Sequence, residues 1–192
     1  MSVAAVILAA GSGSRFNGDA PDALPGAKLL ALLKGQPVLT WALLPALCAD
    51  LDEVVVVGGA ADLSAVVPES VTLLQNDDWA NGLATSLKAG LEWCRAQGHD
   101  RAVLGLGDMP GLASAAWRAV ATEPMGPIVF ATYQGKRGHP VRLDASVWPL
   151  LPSSGDEGAR SLARERPELV HEVACVGATN DIDTLEDLRK WS

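Results

Sequence analysis

The segment Val3-Ala4-Ala5-Val6-Ile7-Leu8-Ala9-Ala10-Gly11-Ser12-Gly13-Ser14-Arg15-Phe16 constrains this chain more than any other. Its first half is an unbroken run of Val, Ile, Leu and Ala, the pattern of a strand covered on both faces in a parallel sheet. Its second half breaks into alternating Gly and Ser. Glycine lets a backbone turn sharply and approach a ligand closely, and free backbone N–H groups opening a helix make a cradle for an anion. Arg15 adds a permanent charge whose planar fork suits phosphate oxygens. The segment reads as a phosphate-binding strand–loop–helix. It is not the dinucleotide fingerprint, which counted from Gly11 needs glycine where Phe16 stands, and no Gly-Lys-Ser/Thr follows to make a P-loop. A plain strand-to-helix turn of small residues is the other reading of the same residues.

A length of 192 residues suits one domain, 1–192, with a sizeable core. Apolar residues make up 48% and charged residues 20%, as in an ordinary soluble globular protein. The net charge of -8 argues against binding nucleic acid in bulk or lying on an anionic membrane. It also means that any phosphate site must gather its cations locally, and Arg15 is the one basic residue before Lys28. Cys48, Cys94 and Cys175 are widely spaced and form no Cys-x-x-Cys pair, which predicts reduced, buried thiols in a cytoplasmic protein. The apolar start lacks a basic flank and is interrupted at Gly11, so it is read as a first strand rather than a signal peptide. No apolar stretch is long enough to span a bilayer.

Residues 17–27 carry turn signals throughout and predict a loop. A helix is expected over about 37–49, with Pro37 at its start and Pro45 kinking it. Strands are expected at 53–59, 71–75, 102–107, 127–133 and 169–176. Helices are expected at 60–66, 84–97, 113–121, 144–151, 159–165 and 185–191. Residues 76–82, 134–140 and 153–158 read as polar loops, with 141–143 extending from the second, and Asp183 or Thr184 as a cap for the last helix. Strands alternating with helices predict an α/β fold with a mostly parallel sheet. In such sheets ligands sit beyond the carboxyl ends of the strands. The candidate loops are therefore 11–15, 58–59, 76–82, 107–110 and 134–140.

Asp108 ends a buried strand in Gly107-Asp108-Met109-Pro110, where a carboxylate can reach a hard cation such as Mg²⁺. Asp181 and Asp183 form a second acidic point. A phosphate loop with two separated acidic points suggests a metal–nucleotide site. Lys28, Lys136, Arg137 and His139 can meet an anion or be solvated. His99 reads as a surface residue and His171 as structural, and the scattered histidines give a zinc site little support.

Taken in order, these motifs resemble the MobA-like nucleotidyltransferases, and within them the molybdenum-cofactor cytidylyltransferase branch. The carrying residues are Leu8 to Arg15, Lys28-Leu29-Leu30, Asn76 through Gly82 to Ser86, and Gly107 to Gly111. With them go Gly135 to Val141, Gly155 to Arg160, and Asp181 to Leu188. The resemblance implies a three-layer Rossmann-like fold of the nucleotide-diphospho-sugar transferase type. It implies transfer of a nucleotidyl group from an NTP to a phosphorylated acceptor of the pterin type, with pyrophosphate leaving. In that reading Arg15, Lys28 and Asp108 are catalytic. Leu8, Ala9, Ala10, Gly11, Ser12, Gly13, Ser14, Arg15, Lys28, Asn76, Gly82, Ser86 and Asp108 bind nucleotide, and Arg137, Gly138, His139 and Pro140 face the acceptor. Asp108 and Asp183 bind Mg²⁺. Ala10 favours CTP, since the guanylyl branch usually has glycine there. A molybdoenzyme or its chaperone is an implied partner. The interval from Arg15 to Lys28 exceeds the family's usual spacing and carries two prolines. A guanylyltransferase, another small-phosphate nucleotidyltransferase, a non-catalytic cofactor-delivery protein and an oxidoreductase are the alternatives weighed against it.

Overall fold

The computed structural model describes residues 1–17 and 26–191; most of the 17–27 loop expected from sequence lies outside them. Nine strands and seven helices follow in chain order: β1 (Val3–Ala9), α1 (Ser14–Asn17), α2 (Ala27–Leu30), β2 (Leu32–Leu33), β3 (Gln36–Pro37), α3 (Val38–Leu47), β4 (Glu53–Gly58), β5 (Thr72–Gln75), α4 (Leu83–Ala96), β6 (Arg101–Leu106), α5 (Ser114–Thr122), β7 (Ile128–Tyr133), β8 (Lys136–Asp144), α6 (Ala159–Glu165), β9 (Val170–Ala174) and α7 (Leu185–Trp191).

Seven strands form one sheet in the order β5-β4-β1-β6-β8-β7-β9. β1 pairs in parallel with β4 and β6, β4 with β5, and β7 with β9; β8 alone runs against its neighbours. The chain leaves β1 for β4 and β5 on one side, then returns through α4 to place β6 on the other. The strand order reverses at β1, and such a switch point opens a crevice at the carboxyl ends of the strands. The loops after β1 and β6 flank it.

Alternation along β1 divides the core into two layers. Ala5, Ile7 and Ala9 pack with Leu39 and Leu43 of α3 and Trp117 and Val120 of α5. Ala4, Val6 and Leu8 pack with Leu87, Leu91 and Cys94 of α4 and Leu162 of α6. This is the three-layer α/β arrangement, with helices on both faces. The amphipathic spacing expected over 84–97 puts Leu87, Leu91 and Cys94 on the buried face of α4.

Several expectations are corrected. Residues 60–66 make turns rather than a helix: the segment follows β4 closely, and Val66 and Val67 both donate to the Leu63 carbonyl, which closes one turn only. The helix expected over 144–151 is a 3-10 helix, Ala145–Leu150, with Pro149 unable to supply an α-helical N–H. The 134–140 loop is mostly strand. The turn between β7 and β8 is confined to Gln134 and Gly135, both at positive φ, which suits a two-residue hairpin. Gly138-His139-Pro140 lies inside β8, where the register slips between Phe130 and Ala131 of β7; a bulge is where a strand tolerates proline. His99 is buried, not at the surface: its Nδ1 lies 2.7 Å from Ser2 Oγ and its ring 5.6 Å from that of Trp93. All three cysteines are free, but Cys48 is exposed and only Cys94 is fully buried. No helix among the described residues is long and apolar enough to cross a membrane.

Gly105 of β6 marks a very tight sheet–helix contact. A Cβ there would lie 2.6 Å from the ring of Trp117, which is fully buried. Gly105→Ala is expected to destabilise the protein by about 1–3 kcal/mol through overpacking. Chemical denaturation checks this, and an unchanged midpoint would show that the Trp117 ring yields freely.

Candidate active site

Four charged side chains from four distant segments meet at the crevice. Lys28 Nζ lies 2.6 Å from Asp108 Oδ2 and 3.3 Å from Asp183 Oδ1, and Arg15 Nη1 lies 2.8 Å from Asp183 Oδ2. The Lys28 side chain is 12% exposed and the Arg15 side chain 79%. Lys28 is therefore part of the floor, while Arg15 projects from the rim.

Local structure explains the convergence. Gly13 holds φ +64°, and a Cβ on it would lie 3.0 Å from Lys28 Cβ, so the glycine loop crosses directly over the lysine. Gly26 N donates to Ser12 O at 2.7 Å and ties the returning chain to the same loop. Phe16, which breaks the dinucleotide pattern, packs with Leu33, Val38 and Ile182 in a small third core. Ile182 is fully buried, and its N–H donates to the Asp108 carbonyl at 3.0 Å. The plug of Phe16 and Ile182 thus sets Arg15, Asp108 and Asp183 side by side.

The two candidate caps of the last helix separate cleanly. Asp187 N donates to Thr184 Oγ1 at 3.1 Å and Thr184 N donates to Asp187 Oδ2 at 3.0 Å. That reciprocal pair is a capping box on Thr184, and it leaves Asp183 free to face Lys28. Asp181 stands beside it, its carboxyl pushed up by partial burial and then by the charges of Asp183 and Asp108.

Carboxylates crowded in this way fit a divalent cation. Asp108 and Asp183 already converge on one cationic group, the Lys28 ammonium, and Asp108 Oδ1 is buried without a hydrogen-bond partner. Among the described residues no cluster of three or more His, Cys, Asp or Glu forms a closed metal cage. The donor set is an open one, of the kind that substrate oxygens and water complete.

Two adjoining cavities flank Asp156. One is lined by Ala10, Gly11, Ser12, Trp79, Gly82, Ser86 and Asp108. The other, about 310 Å³, is lined mainly by Leu and other apolar side chains, with Arg137, Gly138, His139 and Arg160. Leu8, Leu83, Leu106 and Asp156 belong to both. Ser86 reaches the first cavity. Asn76 does not line it: its Nδ2 donates to Thr85 Oγ1 and Ser86 Oγ, and its Oδ1 accepts from Asp78 N, so the amide is spent on shaping the loop. Pro140 is buried outside both cavities, behind His139.

Asp156 and Trp79 lie in segments that the sequence singled out, 155–160 and 76–86, but neither carried a role of its own there. Asp156 Oδ1 accepts from Leu83 N at 3.1 Å and closes the start of α4, a contact between segments 73 residues apart. Trp79 packs over Gly59 beside Ala10: a Cβ on Gly59 would lie 2.7 Å from Trp79 Cβ and 2.8 Å from Ala10 Cβ. The glycine closing β4 was the available signal, since a strand-end glycine marks a close approach.

A glycine loop, paired cations and an open carboxylate pair thus lie together at the switch point of a doubly wound sheet. Residues 5–172 match the model of the MobA-like NTP transferase domain, and the chain belongs to that family of nucleotidyltransferases. No curated protein matches it. Among solved structures, the Rv0371c homologue from Mycobacterium sp. strain JC1 is 26% identical with a TM-score of 0.81, covering 98% of this chain and 93% of its own. The Rv0371c protein of Mycobacterium tuberculosis in complex with manganese is 26% identical, TM-score 0.76, covering 100% and 98%. A nucleotidyl transferase from Methanothermobacter thermautotrophicus is 25% identical, TM-score 0.78, covering 98% and 95%.

Burial holds the His139 imidazole below its ordinary range, helped by the Arg160 charge and opposed by the Leu104 carbonyl and Asp108. In the unfolded chain this group titrates near about 6.5. Below that value the unfolded state binds more protons, so stability falls as pH falls toward the folded-state value. His139→Asn, which cannot protonate, is expected to lose less stability than the parent between about pH 7 and pH 5. Denaturation midpoints at both pH values check this, and equal losses would remove the assignment.

Proposed function

We propose that the protein transfers CMP from CTP to a phosphorylated pterin-type acceptor, the molybdenum cofactor in its molybdopterin form, and releases pyrophosphate. The observation that carries this reading is the meeting of Arg15, Lys28, Asp108 and Asp183 beneath an open glycine loop. The whole chain acts as one domain in this reading, since Asp183, beyond the matched 5–172 segment, returns to the same site.

The triphosphate lies along Gly11, Ser12 and Gly13, where Gly11 has open space around it. Arg15 and Lys28 hold its phosphate oxygens. The acceptor phosphate oxygen attacks the α-phosphorus, and the bond to the β-phosphate oxygen breaks. That nucleophile is already anionic, so the reaction needs positioning and charge neutralisation rather than a covalent intermediate or a protein base. Asp108 and Asp183 would hold Mg²⁺, which would supply Lewis-acid neutralisation of the phosphate oxygens. The manganese complex of the mycobacterial Rv0371c protein supports a divalent cation of this kind. Ala10, where the guanylyl branch that the chain resembles usually has glycine, supports CTP over GTP. The second cavity, with Arg137, Gly138 and His139, receives the acceptor.

The test is a panel of the four NTPs with molybdopterin and Mg²⁺, read as pyrophosphate release and product mass. CTP is expected to give the fastest turnover and a cytidylylated product; turnover with GTP equal to or above that with CTP reverses the base assignment.

Asp108→Asn preserves size and hydrogen bonding but removes the charge. It is expected to lower the unfolding midpoint, because Lys28 loses its nearest charge partner while Asp183 remains, and, in protein shown to be folded at the assay temperature, to lower turnover by about a hundredfold or more, the scale of losing a preorganised electrostatic contact. Near-parental turnover, or activity untouched by EDTA, overturns the metal's role.

A further inference from the structure

Asp156 is the one polar side chain on the wall that the two cavities share; Leu8, Leu83 and Leu106 make up the rest of it. Its carboxylate is held in place. Oδ1 accepts from Leu83 N at 3.1 Å, and the neighbouring Gly155 carbonyl accepts from Ala84 N at 2.9 Å. The fit is close. At Gly82, with φ +106°, a Cβ would lie 2.8 Å from the Gly155 oxygen and 2.9 Å from Asp156 Oδ1. Glycine at 82 therefore lets the 155–156 segment seat on the start of α4.

One carboxylate oxygen is thus spent on position. The other, Oδ2, has no hydrogen-bond or ion-pair partner among the described residues, and the side chain is exposed at the crevice. The charges nearby are turned elsewhere. Glu157 pairs with Arg164, and Arg137 with Glu172 at 2.5 Å, while Arg160 lines the second cavity alone. A fixed carboxylate with a free oxygen repels phosphate and accepts from hydroxyl or N–H groups. The phosphate end of the first cavity is set by Gly11, Ser12 and Asp108, so the group that meets Asp156 belongs to the nucleoside.

We propose that Asp156 is a specificity-determining residue for the nucleotide: its Oδ2 accepts a hydrogen bond from a ribose hydroxyl and so selects ribonucleotides over deoxyribonucleotides. This inference rests on the nucleotidyl-transfer reading for its placement. On that reading the acceptor enters from the second cavity, the α-phosphorus lies at the shared wall, and the ribose is the part of the nucleoside bonded to that phosphate. The bond is a charge-assisted O–H···O⁻ contact, the means by which a carboxylate recognises ribose in dinucleotide-binding folds. A nucleotide without the hydroxyl leaves the carboxylate facing it unpaired, which penalises the deoxy form.

The probes are CTP and GTP, each with its 2′-deoxy and 3′-deoxy counterparts. Binding to the full chain is measured by calorimetric titration with Mg²⁺ and no acceptor. For the base that binds tighter, the parent is expected to hold the ribo form about tenfold or more above at least one deoxy form. Asp156→Asn keeps an amide oxygen for Leu83 N but removes the charge, and is expected to lower that ratio to about threefold. Asp156→Ala removes both oxygens and is expected to abolish the preference. A carboxylate with a purely structural role weakens ribo and deoxy forms alike and leaves the ratio at its parental value. Unfolding midpoints of both variants establish that they are folded, and Asp156→Asn decides where Asp156→Ala does not fold. Equal binding of ribo and deoxy forms by the parent, a parental ratio retained in the variants, or no binding of any nucleotide overturns the inference. Pyrophosphate release with each NTP and molybdopterin is followed separately. An Asp156-dependent ratio without release from any NTP upholds this inference and removes the transfer reading; release with no Asp156-dependent ratio does the reverse.

Discussion

An ammonium group buried between two carboxylates is the constraint from which the site follows. Lys28 is largely removed from water, and a charge in that position is costly unless paired and hydrogen-bonded. Its partners, Asp108 and Asp183, are 80 and 155 residues away in sequence. Bringing them together requires β6 beside β1, so that Asp108 emerges next to the glycine loop. It requires the 182–183 segment to return across the same edge, fixed by the bond from Ile182 N to the Asp108 carbonyl. It also requires Gly13 over Lys28, since a side chain at that φ and that distance would be strained against the lysine stem.

This dependence marks what was legible in the chain. The buried parallel strand, the glycine loop and the carboxylate at the end of β6 could be read because each has a local pattern and a general rule for where it points. The α/β alternation followed from the same patterns. Asp183 was ambiguous because Asp and Thr both cap helices, and only the reciprocal bonds between Thr184 and Asp187 separate the two roles. The Gly-His-Pro segment looked like a loop because Gly and Pro are turn residues; its strand character comes from the β7 pairs on either side of it, Ala131 with Gly138 and Phe130 with Val141, which no local window contains. His99 looked exposed between Gly98 and Asp100, yet Ser2 and Trp93 cover it. Asp156 lay in a recognisable motif, Gly155 to Arg160, but its contact could not be read there, because its partner is the start of α4.

The two cavities sharing Asp156 show how one sheet edge serves unlike chemistries. On the β1 side the lining is backbone, small side chains and charge, the material for gripping phosphates without crowding them. On the β8 side the strand direction reverses, and with it the connection: a tight hairpin replaces a crossover helix. No helix N-terminus then faces the crevice from β8. Side chains from β8 and from the 155–160 segment, Arg137, His139, Asp156, Glu157 and Arg160 among them, face the space instead, opposite leucines of β1, α4 and β6.

The acidic balance of the chain follows the same logic. A net charge of -8 opposes the approach of a triphosphate, and the site meets it with few cations held at short range. Those cations are themselves paired: Arg15 with Asp183, and Lys28 with both Asp108 and Asp183. A phosphate reaching the loop alone competes with carboxylates already in contact. A phosphate arriving with a divalent cation would, on the proposed reading, bring a competitor for those carboxylates, leaving Arg15 and Lys28 available to the phosphate. On the proposed reading, the carboxylates therefore do two things at once: they hold the metal, and they discriminate against anions that come without one.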